Sequence, residues 1–219
     1  MKFSTILFDL DDTIYPASSG LWQAIRQRIV QYLYERLGLP WEEIPALQQQ
    51  FYSQYGTTLR GLQATRSVDT DDYLAYVHDI PMDQYLQPAP ELRRMLLQLP
   101  YRRVIFTNAN RDHARRVLQT MQLEDCFERV IDIMAVAPYC KPQPEAFQAA
   151  LQLIGENQAA RCIYLDDALR NLDTARQLGF YTIHVGEDGS QPADGHVSIP
   201  RLRNLPQVLP DSRELAGGD

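Results

Sequence analysis

Short apolar runs recur along the chain and alternate with segments of helical spacing. Most of the runs are five or six residues long and are dominated by β-branched, aliphatic and aromatic residues. Runs of this length and composition are typical of buried strands. They lie at residues 3–8, 103–107, 129–133, 161–165 and 180–185, and a weaker run lies at 196–199.

Helices are predicted between the later strands, where apolar residues recur at three- and four-residue spacing. Pro144 suits the first turn of one helix, and Gly155 and Gly179 suit the ends of two helices. Strands that alternate with helices favour an α/β fold with a parallel, Rossmann-like sheet covered on both faces. The predicted helices lie around residues 114–121, 147–154 and 172–178.

The stretch between the first and second strands breaks this alternation, because residues 15–88 contain no convincing strand. Helices are predicted over 41–54 and 70–79. Another helix is indicated by an apolar stripe at four-residue spacing, formed by Leu21, Ile25, Ile29 and Leu33.

Two units are therefore expected. Residues 1–14 and 89–219 form the α/β core domain, and residues 15–88 form an all-helical domain inserted between strands 1 and 2. The last residues, about 211–219, are predicted to be a frayed tail.

Composition narrows the class of protein. The chain has 219 residues, 45% of them hydrophobic, and a net charge of −7. No apolar run reaches the roughly 20 residues needed to span a membrane, and the first residues lack a secretory signal. We therefore expect a soluble cytoplasmic protein without membrane or nucleic-acid partners. Nucleic-acid binding calls for a basic stripe, and Arg111, Arg115 and Arg116 are interpreted as a solvated helix face.

The three cysteines, Cys126, Cys140 and Cys162, form no CxxC pair. An odd number of cysteines is poor material for a disulfide framework. No histidine lies close to Cys140 in sequence to activate its thiol, so a catalytic cysteine is not expected.

The segment FDLDDT, residues 8–13, carries the strongest chemical signal. Asp9 follows a buried strand directly, at the sheet edge where ligands bind in open α/β folds. Asp11 lies two residues further on, and the two carboxylates can converge only if the backbone turns there. Carboxylates this close repel each other unless a cation joins them.

Three weaker signals follow at other strand ends. Thr107 ends the second strand, and either Asn108 or Asn110 can cap the next helix. Lys141 precedes a proline in an extended loop. Asp166 and Asp167 follow the strand at 161–165 and repeat the acidic layout of the first motif.

The order of these four signals is more informative than any one of them. Parallel strands bring their carboxyl ends to one rim of the sheet. That rim would hold an acidic pair, a hydroxyl, a lysine and a second acidic pair. Oxygen ligands of this kind suit Mg²⁺ together with a substrate phosphate. The sequence therefore predicts a site for phosphate and a divalent metal, with a carboxylate nucleophile.

These motifs resemble the haloacid dehalogenase superfamily, and the resemblance covers roughly residues 3–200. It implies that Asp9 is the nucleophile and a metal ligand. It also implies that Asp11 is the general acid and base and binds Mg²⁺ through its backbone carbonyl. Thr107 and Lys141 match the hydroxyl and lysine motifs that serve catalysis and hold the phosphate.

For the metal, the resemblance assigns direct ligation to Asp166, with Asp167 acting through water or from a second layer. The helical insertion resembles a cap of the C1 type. Two segments, DLDDTIYPASSGLW and YGTTLRGL (residues 55–62), are similar to the pyrimidine 5′-nucleotidase branch. The alternative for the second is a plain helix junction with Gly56 ending the preceding helix.

The expected reaction is hydrolysis of a small phosphomonoester, with UMP or CMP as substrate. Phosphatases or mutases of sugar phosphates remain alternatives, as does a non-enzymatic phospho-aspartate switch. Asp11 argues against dehalogenation, since true 2-haloacid dehalogenases lack the second aspartate of the motif. The oligomeric state is left open. The expected substrate-binding residues are Leu10, Tyr15, Tyr55, Thr57, Thr58, Arg60, His78, Thr107, Asn108 and Lys141.

Overall fold

Six parallel strands form one sheet in the order β3-β2-β1-β4-β5-β6. The computed structural model describes residues 2–187 and 196–210. The predicted parallel sheet is thus confirmed, although most strands are shorter than the apolar runs from which they were predicted. The strands are β1 (Thr5–Phe8), β2 (Arg102–Phe106), β3 (Arg129–Ile131), β4 (Cys162–Asp166), β5 (Tyr181–Val185) and β6 (Val197–Ile199).

The first strand lies inside the sheet, paired on one side with β2 and on the other with β4. Phe8 stands opposite Ile105 and Leu165, and the Asp9 amide donates to the Leu165 carbonyl at 2.9 Å. The strand order reverses between β1 and β4, and such a reversal opens a crevice at the carboxyl ends of the strands. The acidic residues that follow β1 and β4 therefore lie beside this crevice.

Eight α-helices are found in the described part of the chain. Five lie between β1 and β2. The first four form the helical insertion, and the fifth flanks the sheet together with the three later helices. They are α1 (Leu21–Glu35), α2 (Ile44–Tyr55), α3 (Thr58–Thr65), α4 (Thr70–Val77), α5 (Pro90–Gln98), α6 (Arg111–Met121), α7 (Pro144–Leu153) and α8 (Leu169–Gln177).

Most of the residues predicted to begin or end a helix do so in the structure. Pro144 begins α7, and Gly155 and Gly179 follow α7 and α8 with positive φ angles of 69° and 95°. Asn110 caps α6 by accepting from the His113 amide at 3.1 Å. Helix α5 was not anticipated, because it buries only Leu96 completely and so shows little apolar periodicity.

Helices α1–α4 share a hydrophobic cluster that also includes Ile133 and Cys140 of the core, whereas Leu21 and Ile25 of α1 belong to one of the two clusters that cover the faces of the sheet. No strand occurs from residue 9 to residue 101, all of which are described. Gly61 lets α2 and α3 approach closely, since a Cβ there would lie 2.2 Å from the Phe51 ring. The prediction of an all-helical stretch between the first two strands is confirmed.

All three cysteines are buried and free. Within the described residues, no helix is long and apolar enough to cross a membrane. The predicted frayed tail at 211–219 lies outside the residues that the structure describes.

Candidate active site

The chain turns sharply as it leaves β1, and the turn brings two carboxylates into one cavity. The Ile14 amide donates to the Leu10 carbonyl at 2.9 Å, and Asp12 takes a left-handed conformation with φ of 56°. Aspartate is among the few residues other than glycine that adopt this conformation. Asp9 and Asp11 consequently both line the cavity, as the predicted turn requires.

A buried ammonium group lies at the centre of the site. Lys141 Nζ donates to Asp9 Oδ1 at 2.5 Å, to Asp166 Oδ2 at 2.9 Å and to the Phe106 carbonyl at 2.9 Å. Burial lowers the pKa of Lys141, but the facing carboxylates of Asp166 and Asp9 outweigh burial and raise it. Lys141 is therefore a fixed positive charge that joins the ends of β1 and β4.

Asp166, the last residue of β4, is saturated by protein partners. Its carboxylate accepts from Lys141, from the Ala168 amide at 2.8 Å, and from Asn171 Nδ2 at 3.1 and 3.0 Å. The Tyr164 hydroxyl also donates to it. The side chain is fully buried, so Asp166 holds the Lys141 ammonium from within the core.

Asp167 differs from its neighbour because it is partly exposed and lines the cavity. Carboxylate oxygens of Asp9, Asp166 and Asp167 lie within 4.8 Å of one another. Burial, followed by the neighbouring carboxylates, raises the pKa of Asp167 to about 9. Burial also raises the pKa of Asp9 to about 8, against the opposing effect of Lys141. A cation among these oxygens would relieve this repulsion, so the residues fit a hard divalent metal.

The second predicted motif forms the side of the site that belongs to β2. Thr107 follows β2 directly and accepts from the Ala109 amide at 2.9 Å. Asn108 makes two hydrogen bonds to the Lys141 backbone, each 2.9 Å long. Its Nδ2 donates to the Lys141 carbonyl, and its Oδ1 accepts from the Lys141 amide. Thr107 and Asn108 both line the cavity, and Asn108 also fixes the loop that carries the lysine.

The Asp11 carboxylate contacts two buried aromatic side chains. Its Oδ1 accepts from the Tyr15 hydroxyl at 2.6 Å and lies 2.7 Å from His113 Nε2. Burial raises the pKa of Asp11, but His113 and Tyr15 together outweigh burial and lower it. Sequence analysis missed His113, although its position four residues before the buried Val117 places it on the inner face of α6.

A second histidine covers the first. His78, directly after α4, stacks on His113 with ring centroids 4.3 Å apart and an angle of 21°. Burial, followed by the nearby His113, lowers the pKa of His78 to about 3, so its ring is neutral at ordinary pH. The Nδ1 atoms of both rings are buried without a hydrogen-bond partner.

These side chains open into a cavity of about 540 Å³ between the sheet rim and helices α1–α4. We call its core side the floor, formed by Asp9, Asp11, Thr107, Lys141 and Asp167. We call the opposite side the roof. Its polar and aromatic members in α1, α2 and α3 are Trp22, Arg26, Gln48, Gln49, Tyr52 and Thr58.

Most predicted floor residues meet at the cavity, whereas the predicted roof residues are divided. Thr57, Thr58 and His78 line the cavity. Leu10, Tyr15 and Tyr55, which were expected to contact substrate, are not among the lining residues. Leu10 and Tyr15 are buried in the core, and Tyr55 packs on the cluster inside the helical insertion.

The placement of Arg60 requires a correction. Its guanidinium does not line the cavity and donates to the backbone carbonyls of Ile133 at 2.7 Å and Tyr139 at 2.8 Å. It also donates to Gln63 at 2.7 Å. With these donors engaged and the side chain buried, Arg60 fastens α3 to the core and is not free to contact substrate.

Arg170 makes the matching contact from the core side. It donates to the carbonyls of Tyr52 at 2.9 Å and Gly56 at 2.7 Å, and its guanidinium lies 3.2 Å from the centre of the Tyr52 ring. Like the roof residues Trp22, Arg26 and Gln48, it was missed. Sequence periodicity identifies which face of a helix is buried, but it cannot tell which side chains on that face meet a cavity.

A family model described as haloacid dehalogenase-like hydrolase matches residues 3–179. Phosphate metabolism protein 8 of Saccharomyces cerevisiae is 27% identical over 196 residues, which cover 83% of this chain. The same match covers 61% of the yeast protein, so this chain spans less than two thirds of that relative's length.

Solved structures share the fold at low sequence identity. The magnesium-bound HAD-hydrolase YfnB from Bacillus subtilis has a TM-score of 0.66 and 18% identity, over 96% of this chain and 100% of that one. A HAD phosphatase from Thermococcus onnurineus has a TM-score of 0.61 and 19% identity, with 99% of each chain covered.

L-2-haloacid dehalogenase from Xanthobacter autotrophicus matches at a TM-score of 0.59 and 16% identity, over 99% of this chain and 100% of that one. Likenesses at such identities establish the fold alone. The family model, in contrast, matches residues 3–179, a segment that includes all four motifs of the site. This chain belongs to the haloacid dehalogenase-like hydrolase family.

Proposed function

We propose that this chain is a magnesium-dependent phosphomonoester hydrolase in which Asp9 is transiently phosphorylated. One observation carries the proposal. Asp9 lies at the floor of the cavity with its Oδ1 bonded to the buried ammonium of Lys141, beside the carboxylates of Asp166 and Asp167. A carboxylate held in this way can attack phosphorus with Oδ2, while Lys141 offsets the charge of the transferring group.

In the first half-reaction, Asp9 forms a bond to phosphorus as the bond from phosphorus to the ester oxygen breaks. Asp11 donates a proton to the departing oxygen. A phosphate dianion beside Asp11 raises the pKa of that carboxyl, which opposes the lowering by His113 and Tyr15. In the second half-reaction, Asp11 takes a proton from the water that hydrolyses the aspartyl-phosphate, and Asp9 is restored.

The metal site is proposed for Asp9, Asp167 and the backbone carbonyl of Asp11. Asp166 is the less suitable direct ligand, because Lys141, Asn171, Tyr164 and the Ala168 amide already occupy its oxygens. We therefore reverse the roles that the resemblance implies and place Asp166 behind the metal. A divalent cation bound there would offset negative charge on the phosphoryl group during transfer.

Residues 15–88 are proposed to form a cap domain over the core domain, which comprises residues 1–14 and 89–219. Helices α1–α4 share a hydrophobic cluster, and the roof of the cavity comes from these helices and the short segments that adjoin them. A cap of this kind would exclude water from the aspartyl-phosphate and contact the leaving group.

A pyrimidine nucleoside monophosphate is the proposed substrate. The roof offers the Trp22 and Tyr52 rings and the amides of Gln48 and Gln49. Aromatic faces suit a planar base, and an amide can both donate to and accept from a base edge. The similarity of residues 55–62 to nucleotidases supplies the choice of pyrimidine. A phosphatase or mutase acting on sugar phosphates is the second candidate, since Arg26 and the two glutamines could also bind hydroxyl groups.

Two features of the chain bear on other reactions. Dehalogenases share the fold but lack the second aspartate of the first motif, whereas Asp11 is present here and lines the cavity. The name of the yeast relative refers to phosphate metabolism, which is consistent with a phosphate ester as substrate. A phospho-aspartate switch is less consistent with a cavity of this size beside the nucleophile.

The test is phosphate release from UMP, CMP, AMP, GMP and several sugar phosphates, measured with Mg²⁺ and with excess EDTA. We expect activity that depends on Mg²⁺ and kcat/KM values that favour UMP and CMP. A preference of tenfold or more for a sugar phosphate would show that the proposed substrate is wrong, but the protein would still be a phosphatase. Full activity in EDTA, or no release from any ester, would overturn the proposed function.

A further inference from the structure

A buried pair of side chains behind Asp11 has no part in the chemistry described so far. Tyr15 and His113 both contact Asp11 Oδ1, at 2.6 and 2.7 Å. Both are almost completely buried, and neither is among the residues that line the cavity. Neither can therefore touch a substrate in the cavity, and any effect on the reaction passes through Asp11.

The two oxygens of Asp11 have different surroundings. Oδ1 has two partners, whereas no described residue is hydrogen-bonded to Oδ2. A carboxylate oxygen only accepts, so His113 Nε2 carries the proton of its bond to ionised Asp11. An acid proton on Oδ1 would compete with both donors for the same lone pairs. The bonds from His113 and Tyr15 thus direct the acid proton of Asp11 to Oδ2. Because Asp11 lines the cavity, a proton on this carboxyl can serve a substrate there.

We infer that His113 is a positioning residue for the general acid, with Tyr15 as its partner. This inference rests on the proposed function. Together the two side chains fix the Asp11 carboxyl so that Oδ2 delivers its proton to the ester oxygen as the phosphorus–oxygen bond breaks. The proton returns from the water that later attacks the aspartyl-phosphate, so no other donor or acceptor is needed.

The His113 ring is itself fixed from the side of the helical insertion. His78 stacks on it at 4.3 Å. Arg116, one turn further along α6, donates to the carbonyls of His78 and Ile80. The same helix therefore carries the residue that orients Asp11 and the residue that holds His78 in place. This arrangement ties the orientation of the acid to the docking of the insertion on the core.

The experiment separates positioning of an acid from simple packing by changing the leaving group. An alkyl phosphate needs a proton on its departing oxygen, whereas the p-nitrophenolate of p-nitrophenyl phosphate leaves readily without one. His113→Leu removes the donor and roughly keeps the volume. His113→Gln keeps an N–H at the position of Nε2. The readout is kcat/KM, because it reports the phosphorylation step, for UMP and for p-nitrophenyl phosphate with Mg²⁺.

For H113L we expect kcat/KM to fall about 10²-fold with UMP and less than about fivefold with p-nitrophenyl phosphate. H113Q should recover most of the loss with UMP. Since Asp11 also serves the second half-reaction, H113L should release a burst of p-nitrophenolate followed by slow turnover. Equal losses on both substrates, or H113Q behaving like H113L, would overturn the inference and leave His113 as a packing residue.

Two further variants keep the test decisive if H113L folds poorly. Tyr15→Phe removes one hydroxyl only and should show the same selectivity at about tenfold. His196→Leu is the matched control, since His196 is equally buried but bonds to Thr182 and Asp173, away from Asp11. It should leave the ratio of the two substrates unchanged. If wild-type protein hydrolyses neither substrate, the proposed function fails before this inference is reached.

Discussion

The floor and the roof of the cavity are built by different physical means. On the floor, charged groups from separate strand ends meet around Lys141 and are fixed by buried hydrogen bonds of 2.5 to 2.9 Å. On the roof, aromatic rings and amides belong to helices that pack through a hydrophobic cluster. The arginines at the junction, Arg60 and Arg170, bind backbone carbonyls of the opposite part.

This difference separates two tasks. In the proposed reaction, the floor acts on the phosphoryl group and the ester oxygen, which every phosphomonoester has, and it recognises nothing else of the leaving group. In the proposed reaction, the roof contacts the rest of the leaving group, which differs between substrates, so it can be changed without loss of the chemistry. The arginines illustrate the risk of assigning function from residue type alone, since a cation near a phosphate site can serve to dock one part on another.

Changing the nucleophile should have the largest effect. Asp9→Asn keeps the size of the side chain but cannot form an acyl phosphate. We expect kcat to fall about 10⁴-fold or more, with the folded structure retained. Phosphate release and circular dichroism measure the two parts of this prediction. Asp112→Asn, at an exposed position on α6, is the control and should remain active. Substantial activity in D9N would contradict the floor as described.

Removal of the central charge should cost stability as well as activity. Lys141→Met leaves Asp9 and Asp166 buried without their shared partner. Breaking a buried ion pair in this way costs about 3–5 kcal/mol, which urea unfolding can measure. The chain has one other lysine, Lys2, and Lys2→Met is the matched control because Lys2 is exposed. Equal stability of the two variants would show that Lys141 is not the centre of the floor.

Metal binding should depend on pH in a defined direction. The pKa values of Asp9 and Asp167 are raised to about 8 and about 9, chiefly by burial. Metal binding requires the ionised carboxylates and so releases protons. The Kd for Mg²⁺ should therefore fall as pH rises, by up to about a hundredfold per unit below pH 8, where both carboxylates must lose a proton, and by about tenfold per unit between pH 8 and pH 9, before it levels off.

The stability of the metal-free protein should move the opposite way. The folded state keeps a proton on Asp9 that the unfolded state releases near pH 3.8. This contribution is complete below that pH and is lost as pH rises through about 8. Thermal unfolding from pH 5.5 to 8.5, with EDTA and with excess Mg²⁺, checks both trends. A Mg²⁺-induced shift in Tm that shrinks as pH rises would contradict them.

The roof variants should have the smallest effects, and their pattern matters more than their size. Gln48→Ala should change the ranking of UMP against a sugar phosphate by up to about tenfold, with little change for p-nitrophenyl phosphate. Arg60→Met should instead lower kcat/KM equally for all three, because Arg60 docks α3. Comparing kcat/KM across the three substrates tests this. A change of ranking in R60M, together with none in Q48A, would reverse the assignment of the two residues.

Sequence reasoning was most successful where chemistry is tied to strand ends. Asp9, Thr107 and Asp166 each lie within one residue of the end of a strand, so the parallel sheet brings them to one rim. Lys141 lies in a loop, yet it reaches the same rim because Asn108 holds its backbone. The order of motifs along the chain was enough to predict this convergence.

The roof could not be predicted in the same way, because it depends on how helices rotate and pack. Arg60 and Tyr15 have polar groups suited to a substrate, but the packing of α3 and of the β1 turn directs them to protein partners. His113 went unnoticed because a histidine among apolar helix positions usually indicates a core residue. Only its 2.7 Å approach to Asp11, 102 positions away in sequence, identifies it.

The most direct test of the central claim is to trap the enzyme during turnover. Wild-type protein mixed with Mg²⁺ and p-nitrophenyl phosphate would be quenched in acid, reduced with borohydride and analysed by peptide mass spectrometry. Borohydride would reduce a phosphorylated Asp9 to homoserine. The D9N variant would show no homoserine at that position. Homoserine at position 9 is the predicted result. Phosphate release without any modified peptide, or with the modification at another residue, would contradict the account.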